Sequence, residues 1–377
     1  MKASTLFDEF FESDKTSGVL LISCTIISLL LSNFFLKESY VHLWHLQWAG
    51  MRIEQWINEG LMAVFFLLVG LELKREFIAG ELSNIKNALL PIVAAIGGVI
   101  IPACIFLLFN YGKPTQSGVG IPMATDIAFA LSVLSLLGNK VPLSLKIFLT
   151  ALATIDDLCA IIVIAIFYTG SLSLFNLFIS LGLFGLLLIL NRLNIKSLIP
   201  YLAGGLLMWY FMLHSGVHST VTGVLLSLAI PSDKNKNNSP SSVLQHRLHK
   251  PVAFIILPLF ALANTAIVIS GGNQIDFQHP ASLGIFAGLI IGKPLGIFLF
   301  SFLAVKARIG SLPQRTGWSE IFGIGLLGGI GFTISIFISL LAFDQQELIN
   351  QSKIAVLISS SVSGLLGFLW LKTKIKK

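Results

Sequence analysis

The sequence has few charged residues and few cysteines. Charged side chains make up 11% of its 377 residues, whereas soluble domains carry about 25%, so a water-soluble fold is excluded. The three cysteines are odd in number and lie in apolar stretches, which excludes a disulfide framework and a thiolate metal site. The first apolar stretch follows the acidic flank DEFFESDK and precedes no small-residue cleavage site, so we expect a retained helix rather than a signal peptide.

Apolar runs are abundant instead. Hydrophobic residues make up 55% of the chain, and its mean hydropathy is +0.87. A helix needs about 20 apolar residues to cross a bilayer. We therefore predict an all-α integral membrane protein with twelve transmembrane helices. The predicted segments lie near residues 17–36, 58–80, 87–109, 118–138, 143–168, 173–190, 197–214, 216–231, 251–270, 282–304, 319–343 and 353–372.

The positions of lysine and arginine support this count and predict an orientation. With the N-terminus inside, most of the 25 basic residues fall in cytoplasmic loops, as the positive-inside rule predicts for membrane proteins. The exceptions on the outside are Lys37, Arg52, Lys113 and Lys353. Both termini are therefore expected in the cytoplasm. The net charge of +7 reflects this bias and anionic lipid headgroups, so it does not indicate nucleic-acid binding.

Short loops indicate a single transmembrane domain over residues 1–377, with two polar interruptions. Residues 37–57 are aromatic-rich, lie outside in this topology and are expected to form an interfacial hairpin or a short helix. Residues 232–250 are expected to form a cytoplasmic linker, which contains the low-complexity run SDKNKNNSPSS.

Two predicted segments are poor continuous helices. The fourth reads SGVGIPMATDIAFALSV and the eleventh reads GIGLLGGIGFTISIFIS. Interrupted helices are tolerated at membrane depth where they line a cavity, and corresponding pairs are typical of transporters. The stretch IIPACIFLL (100–108) is similar to GKPLGIFLF (292–300), and TDIAF is similar to TISIF. These similarities predict two inverted three-helix repeats, at about residues 87–170 and 282–373.

Four ionisable residues lie inside the apolar segments: Asp126, Asp156, Asp157 and Lys293. Each charge at the bilayer centre costs roughly 2.5–3.5 kcal/mol on insertion scales, so such residues are expected to be functional. The alternative is a structural ion pair between Lys293 and one aspartate. One pair would leave two carboxylates unexplained.

The adjacent pair in ALATIDDLCAII predicts a cation site. Asp156 and Asp157 point about 100° apart on a helix, so they face different neighbours. Carboxylates that share a site resist double ionisation, and their oxygens suit a hard cation, so Na⁺ and H⁺ would compete there. Asp126 and Lys293 are expected to neutralise the exposed ends of the broken helices. Thr125 can add an oxygen ligand, although a bond to its own helix is the commoner role.

Two further patterns carry weaker predictions. One is a polar group at cytoplasmic helix ends, in which histidines that titrate near neutral pH can switch a conformation; an ordinary solvated helix end is the alternative. Its members are Glu72, Arg75, Glu76, Gln245, His246 and His249. The other is a glycine at every fourth position from Gly284 to Gly296, which predicts close helix packing.

Six motifs closely resemble the NhaA family of bacterial sodium–proton antiporters, and the similarity runs nearly end to end. They are ATDIAFALSVLSLLG, TALATIDDLCAII, LIIGKPLGIF, GIGFTISIFI, VGLELKREF and SGVHSTVTGV. The resemblance implies crossed discontinuous helices at the fourth and eleventh segments and exchange of Na⁺ or Li⁺ for H⁺ across the bacterial inner membrane. It also implies a homodimer in the lipid bilayer, no cofactor and no enzymatic activity.

The resemblance also implies roles for individual residues. Asp156 and Asp157 match the paired cation- and proton-binding aspartates, and Lys293 matches a lysine that pairs with the first of them. Asp126 and Thr125 match the acidic residue and its neighbour in the broken fourth helix. The region implicated in alkaline activation matches Glu72, Arg75, Glu76, His246 and His249. Residues 37–57 match a dimerisation hairpin, and Gln245 replaces a glutamate of the pH-sensing cluster.

The expected function is therefore an electrogenic Na⁺(Li⁺)/H⁺ antiporter that works by alternating access and is activated at alkaline pH. The main alternative is a Na⁺-coupled organic-solute symporter of similar inverted-repeat fold, which would need a roomier cavity with several polar side chains. A channel would need a repeated filter loop, and the sequence shows none. A non-transporting scaffold would have no use for the buried acids.

Overall fold

The computed structural model describes residues 3–170, 172–233, 239–268 and 276–375. Most of these residues are helical. The α-helices are α1 (Ala3–Leu30), α2 (Glu38–His45), α3 (Ile53–Gln55), α4 (Met62–Ala79), α5 (Ile85–Asn110), α6 (Ile127–Ser135), α7 (Leu143–Phe167), α8 (Leu174–Arg192), α9 (Ile199–Leu213), α10 (Val221–Ala229), α11 (Pro240–Pro251), α12 (Leu257–Asn264), α13 (Pro280–Phe286), α14 (Lys293–Lys306), α15 (Trp318–Gly328), α16 (Phe332–Ala342) and α17 (Gln346–Lys374).

Shorter elements join these helices. The strands are β1 (Gln47–Trp48) and β2 (Met51–Arg52). The π-helical turns are Leu31–Phe35, Trp56–Leu61, Val252–Ile256 and Ala287–Gly292. The 3₁₀ segments are Glu81–Ser83, Pro114–Met123 and Gly138–Lys140.

The chain is a multi-pass helical membrane protein. Among the described residues, 7 helical stretches are long and apolar enough to cross a membrane. Two bent pairs raise the number of candidate spans to 9. The seven stretches are Thr16–Phe35, Ile53–Ala79, Ala88–Asn110, Leu143–Phe167, Leu174–Arg192, Pro280–Lys306 and Gln346–Lys374.

Three of the twelve predicted segments coincide with shorter helices. The segment predicted at 197–214 is α9, which has 15 residues. The segment at 216–231 contains the 9-residue α10, because the chain first turns at Gly216, where φ is +86°. The segment at 251–270 is divided between a π-helical turn and α12, which ends at Asn264. By length alone, these helices fall short of the about 20 residues that a span needs.

The breaks lie in the two segments where glycine and proline predicted them. The segment Pro114–Met123 bends by 42° into α6, and α15 bends by 45° into α16. The two breaks touch, because the backbone N–H of Asp126 donates to the carbonyl oxygen of Ile330 at 2.6 Å. Backbone that is freed at membrane depth in one broken helix is thus satisfied by the other.

The helices form two compact units. The first unit comprises the described residues of Met1–Ile26, Asn84–Ala160 and Ile267–Lys377, and it contains both breaks. The second unit comprises the described residues of Ile27–Ser83 and Ile161–Ala266. The helices of both predicted repeats belong mostly to the first unit.

Close packing of glycines joins α5 to the helices around Lys293. A Cβ atom added to Gly296 would collide with the carbonyl oxygen of Gly97, and one added to Gly97 would collide with that of Gly296. A Cβ atom on Gly292 would approach the Cα of Pro102 within 2.9 Å. The packing predicted from the glycine spacing is therefore confirmed, and it brings the backbone of α14 directly against α5.

The second unit has its own apolar core and an unusual helix cap. The core residues are Leu67, Leu71, Leu187, Tyr201, Met208, Leu226, Ala229, Ile230 and Leu244. The ammonium group of Lys74 donates to the carbonyl oxygens of Ser227, Leu228 and Ile230 at 3.2, 2.9 and 2.5 Å. These carbonyls lie at the end of α10 and have no partner within that helix, so a cation stabilises them.

Residues 37–57 form both of the structures that the sequence suggested. The helix α2 is followed by an antiparallel pair in which Gln47 faces Arg52 and Trp48 faces Met51. Ala49 and Gly50, between the strands, have φ of +48° and +84°. Two positive φ values are what a two-residue hairpin turn requires.

The predicted linker at 232–250 is helical in its second part. Residues 234–238 lie outside the described residues, but α11 begins at Pro240. The hydroxyl of Ser239 accepts from the backbone N–H of Ser242 at 3.3 Å and so caps the helix. The low-complexity composition hid this start, because Ser and Pro are also the preferred residues of a helix N-terminus.

Candidate functional site

The helix α7 carries both members of the predicted aspartate pair. Asp156 is 1% exposed and Asp157 is 2% exposed. An ionised carboxylate so deeply buried is stable only if it is paired, hydrogen-bonded or bound to a cation. For Asp156, one of the two carboxylate oxygens meets this requirement.

One oxygen of Asp156 receives two donors. Its Oδ2 accepts from the ammonium group of Lys293, and the side chains of this ion pair are fully buried. The same oxygen accepts from the hydroxyl of Thr125 at 2.6 Å. Lys293 begins α14 directly after the π-helical turn Ala287–Gly292. Such turns are frequent at functional sites.

The other oxygen of Asp156 has no such support. Oδ1 is buried and has no hydrogen-bond partner among the described residues. Buried polar atoms are nearly always hydrogen-bonded, so an exception calls for an explanation. An oxygen of this kind is available to a proton or to a hard cation.

Thr125 connects Asp156 to the second break. Its hydroxyl lies 2.6 Å from Asp156 Oδ2 and 2.8 Å from the carbonyl oxygen of Gly328, at the end of α15. A hydroxyl has a single hydrogen, so these two acceptors compete for one donor. The Thr125 hydroxyl therefore lies beside the carboxylate, and the Gly328 carbonyl oxygen lies beside that hydroxyl.

Asp126 holds the starts of two helices together. Its Oδ1 accepts from the backbone N–H of Phe129 at 3.0 Å and caps α6. Its Oδ2 accepts from the backbone N–H of Thr333 at 3.0 Å and from the Thr333 hydroxyl at 2.6 Å, in the first turn of α16. A carboxylate thus lies at the positive ends of two helix dipoles. Among the described residues, the hydrogen bond of Lys293 is with a carboxylate and not with the carbonyl end of a helix.

The second predicted group lies in the second unit, and only part of it comes together. Glu72 Oε1, on α4, lies 3.8 Å from His249 Nδ1, on α11. Arg75 Nη2 pairs with the neighbouring Glu76 Oε1 at 3.0 Å. His246 is exposed on α11.

Gln245 is the departure that the sequence pointed out, and it is not a surface residue. Its side chain is 8% exposed, on the same helix as His249. A neutral amide tolerates this burial better than a carboxylate would, because burying a charge costs much more than burying a neutral polar group.

The comparison with known proteins identifies the family. A family model described as Na⁺/H⁺ antiporter 1 matches residues 8–371. The chain belongs to this family. A relative from Flavobacterium psychrophilum, named Na(+)/H(+) antiporter NhaA, is 62% identical over 376 residues, which cover 100% of this chain and 98% of the relative. Another of that name, from Dechloromonas aromatica, is 59% identical over 374 residues and covers 98% and 96%. The resemblance inferred from the motifs is confirmed.

The fold of the chain is similar to that of a solved structure. The sodium proton antiporter MjNhaP1 from Methanocaldococcus jannaschii matches with a TM-score of 0.57 over 98% of this chain and 100% of that chain. The sequence identity is 16%, so the likeness concerns the fold alone.

Sequence reasoning missed several buried or half-buried polar residues. Glu59 Oε2 accepts from the hydroxyl of Ser219 at 2.6 Å, and its Oε1 lies 3.6 Å from His218 Nδ1. Lys353, which the charge count assigned to an outside loop, is 6% exposed on α17. Ser360, also on α17, contacts the break between α15 and α16. The motif SGVHST contained the signal for the Glu59 cluster, because a histidine beside an apolar run needs a partner.

Proposed function

We propose that this chain is a secondary active transporter that exchanges Na⁺ or Li⁺ for H⁺ across the bacterial inner membrane. The observation that carries the proposal is the arrangement at Asp156. One of its oxygens accepts from Lys293 and Thr125, while the other is buried without a hydrogen-bond partner among the described residues. Family membership, with relatives named as Na(+)/H(+) antiporters, supports the same conclusion.

The chemistry of the site suits this exchange. Asp156 and Asp157 supply carboxylate oxygens, the Thr125 hydroxyl lies within hydrogen-bond distance of Asp156, and the Gly328 carbonyl oxygen lies within hydrogen-bond distance of that hydroxyl. Oxygen ligands of this type favour a hard cation. A cation that enters displaces a proton from Asp157 and takes the place of Lys293 beside Asp156, and the ammonium group, left without its partner, releases a proton in turn. The transported ions are the only small molecules involved, and no cofactor is required.

Asp126 has a different role in this proposal. Its two oxygens are engaged by Phe129 and Thr333, so it holds the breaks in contact and balances their helix dipoles. Exchange then proceeds by alternating access around the aspartate pair. If more protons than cations cross in each cycle, net charge moves and the membrane potential drives the exchange. We propose that this transport is electrogenic.

The proposed architecture is a single transmembrane domain with twelve spans and two inverted three-helix repeats, in which the fourth and eleventh spans are broken and crossed. Support comes from the direct hydrogen bond between Asp126 and Ile330, which belong to the two broken pairs. Both termini lie in the cytoplasm on the basis of the lysine and arginine distribution. The hairpin of residues 37–57 makes the contact of a homodimer, and membrane lipids surround the assembly.

Activation at alkaline pH is the regulatory part of the proposal. It involves Glu72, Arg75, Glu76, Gln245, His246 and His249. The Glu72–His249 pair supports it, because its attraction depends on imidazole protonation. A neutral Gln245 removes one titratable group from this region, so a less steep pH response is expected.

The decisive experiment compares three proteins after purification and reconstitution into liposomes with an acidic interior and an internal pH-sensitive dye. NaCl, LiCl and KCl are added in turn to wild type, Asp157→Asn and Asp344→Asn. Asp344 is an exposed loop residue, so its variant makes the same chemical change away from the site. We expect Na⁺ and Li⁺ to dissipate the gradient in wild type and Asp344→Asn but not in Asp157→Asn. Imposing a membrane potential with valinomycin tests electrogenicity, which requires the rate to change with the potential.

Two outcomes would reject the proposal. A folded wild-type protein without a Na⁺ or Li⁺ response at any pH is not an antiporter, and the solute symporter would replace it. An Asp157→Asn variant as active as wild type would show that exchange takes place elsewhere.

A further inference from the structure

The first turn of α16 lacks acceptors for its backbone N–H groups, as every helix start does. Side chains from two other elements supply them. The N–H groups of Gly331 and Phe332 both donate to the hydroxyl oxygen of Ser360, at 3.2 Å each. The next N–H group, that of Thr333, donates to Asp126 at 3.0 Å. Three consecutive amides are therefore held by one neutral and one acidic side chain.

Ser360 differs from the serines on either side of it. The hydroxyl of Ser359 donates to the carbonyl of Ala355 at 2.7 Å, within its own helix. The hydroxyl of Ser361 likewise donates to Leu357 at 2.8 Å and is exposed. Ser360 is 2% exposed and accepts from the break. Its contact is therefore specific to its position and does not follow from its residue type.

The contact has a counterpart in the other broken pair. Asp156 on α7 accepts from Thr125, 31 residues earlier in the chain, next to the first break. Ser360 on α17 accepts from Gly331, 29 residues earlier, at the second break. In each case a helix that follows a broken pair presents a polar side chain to the break. The first predicted three-helix repeat presents a carboxylate at the break, and the second presents a hydroxyl.

We infer that Ser360 is a positioning residue for the proposed exchange site and that it acts through the backbone of the second break. It anchors Gly331 and Phe332, and the adjoining Ile330 and Thr333 contact Asp126. The neighbour of Asp126, Thr125, donates to Asp156. A hydroxyl at this position satisfies the amides without adding a negative charge that would compete for the cation. The inference rests on the proposed exchange function.

The test compares purified, reconstituted wild type, Ser360→Ala, Ser360→Thr and Ser359→Ala. Removing the hydroxyl frees the start of α16, so we expect Ser360→Ala to raise the KM for Na⁺ roughly tenfold while the maximal rate changes less than about twofold. Ser360→Thr keeps the hydroxyl and is expected to stay near the wild-type KM. Ser359→Ala loses an equally buried hydroxyl that bonds within its own helix, so its KM should match wild type.

The outcomes separate this inference from the proposed function. A wild-type protein that does not exchange Na⁺ for H⁺ overturns the proposed function itself. An active wild type together with an unchanged KM in Ser360→Ala, or an equal rise in Ser359→Ala, overturns only the role of Ser360. If Ser360→Ala does not fold, Ser360→Cys replaces it. The thiol is a weak acceptor, so an intermediate KM supports the inference and a wild-type KM overturns it.

Discussion

The ammonium group of Lys293 lies against the Oδ2 atom of Asp156, and neither side chain is exposed. Each group offsets part of the cost of burying the other, and neither has that support alone. The pair therefore contributes to stability only as long as both partners carry their charge. This dependence joins the stability of the first unit to the chemistry that we propose for Asp156.

Replacing Lys293 with Met leaves Asp156 as an uncompensated buried charge. Removing one partner of such a pair costs about 3–5 kcal/mol, so we expect a clear fall in the thermal unfolding temperature in detergent. The double variant Lys293→Met with Asp156→Asn leaves no charge and should recover much of the loss. Lys250→Met changes an exposed lysine and serves as the control. A Lys293→Met protein as stable as wild type would contradict the structural importance of the pair.

Replacing Thr125 with Val removes the hydroxyl that lies 2.6 Å from Asp156 and keeps the shape of the side chain. A hydrogen bond to a charged group contributes about 1.5–3 kcal/mol. Since about 1.4 kcal/mol corresponds to a factor of ten, the KM for Na⁺ should rise at least tenfold. Thr125→Ser retains the hydroxyl and should remain within about threefold of wild type. Initial rates in proteoliposomes across a range of Na⁺ concentrations measure both. Equal values for Val and Ser would show that the hydroxyl is unimportant.

Replacing His249 with Ala removes the pair with Glu72, whose atoms lie 3.8 Å apart. A protonated imidazole attracts the carboxylate and loses its charge as the pH rises, so the attraction is present at acidic pH and lost at alkaline pH. If this attraction holds the inactive form, His249→Ala should be active at a pH about one unit lower than wild type. Exchange rates measured between pH of about 6 and about 9 test this, with His214→Ala, an exposed histidine outside the proposed regulatory group, as control. Superimposable profiles for wild type and His249→Ala would exclude the pair from regulation.

Replacing Gly296 with Ala places a methyl group against the carbonyl of Gly97. Overpacking of this kind costs about 1–3 kcal/mol, and here the obstacle is backbone, which cannot rotate away. A fall in unfolding temperature is expected. Gly182 lies on α8 with no atom within 4 Å of an added Cβ, so Gly182→Ala should raise stability by up to about 1 kcal/mol through helix propensity. Equal effects of the two substitutions would show that the close approach of α5 and α14 is not required.

The sequence was informative wherever a residue type is costly in an apolar setting. Gly329 and Gly331 at one break, and Pro122 beside the other, weaken a helix, so the interruptions could be predicted. Buried charges are costly as well, which identified Asp126 and Lys293. In contrast, the 100° separation of Asp156 and Asp157 predicts that they face different neighbours but not which one meets Lys293. Only the family resemblance pointed to Asp156, because the contact depends on the fold of the distant α14.

The contact of Ser360 and the ends of the short helices could not be predicted from the sequence. Serine in an apolar helix usually bonds to its own backbone, as Ser359 does, so nothing distinguished Ser360 before the structure. The short α10 and α12 were predicted too long because apolar residues continue through their flanking turns. A hydropathy window measures polarity and does not detect where a helix ends.

The separation of partners along the chain has a consequence for biogenesis. Asp156 and Lys293 are 137 residues apart, and Asp126 meets Thr333 across 207 residues. Synthesis proceeds from the N-terminus, so α7 emerges from the ribosome long before α14 exists. During that interval each carboxylate faces a cost of roughly 2.5–3.5 kcal/mol in lipid without its partner. The insertion machinery must therefore admit α7 with its acids protonated, or retain it at the lipid boundary until α14 arrives.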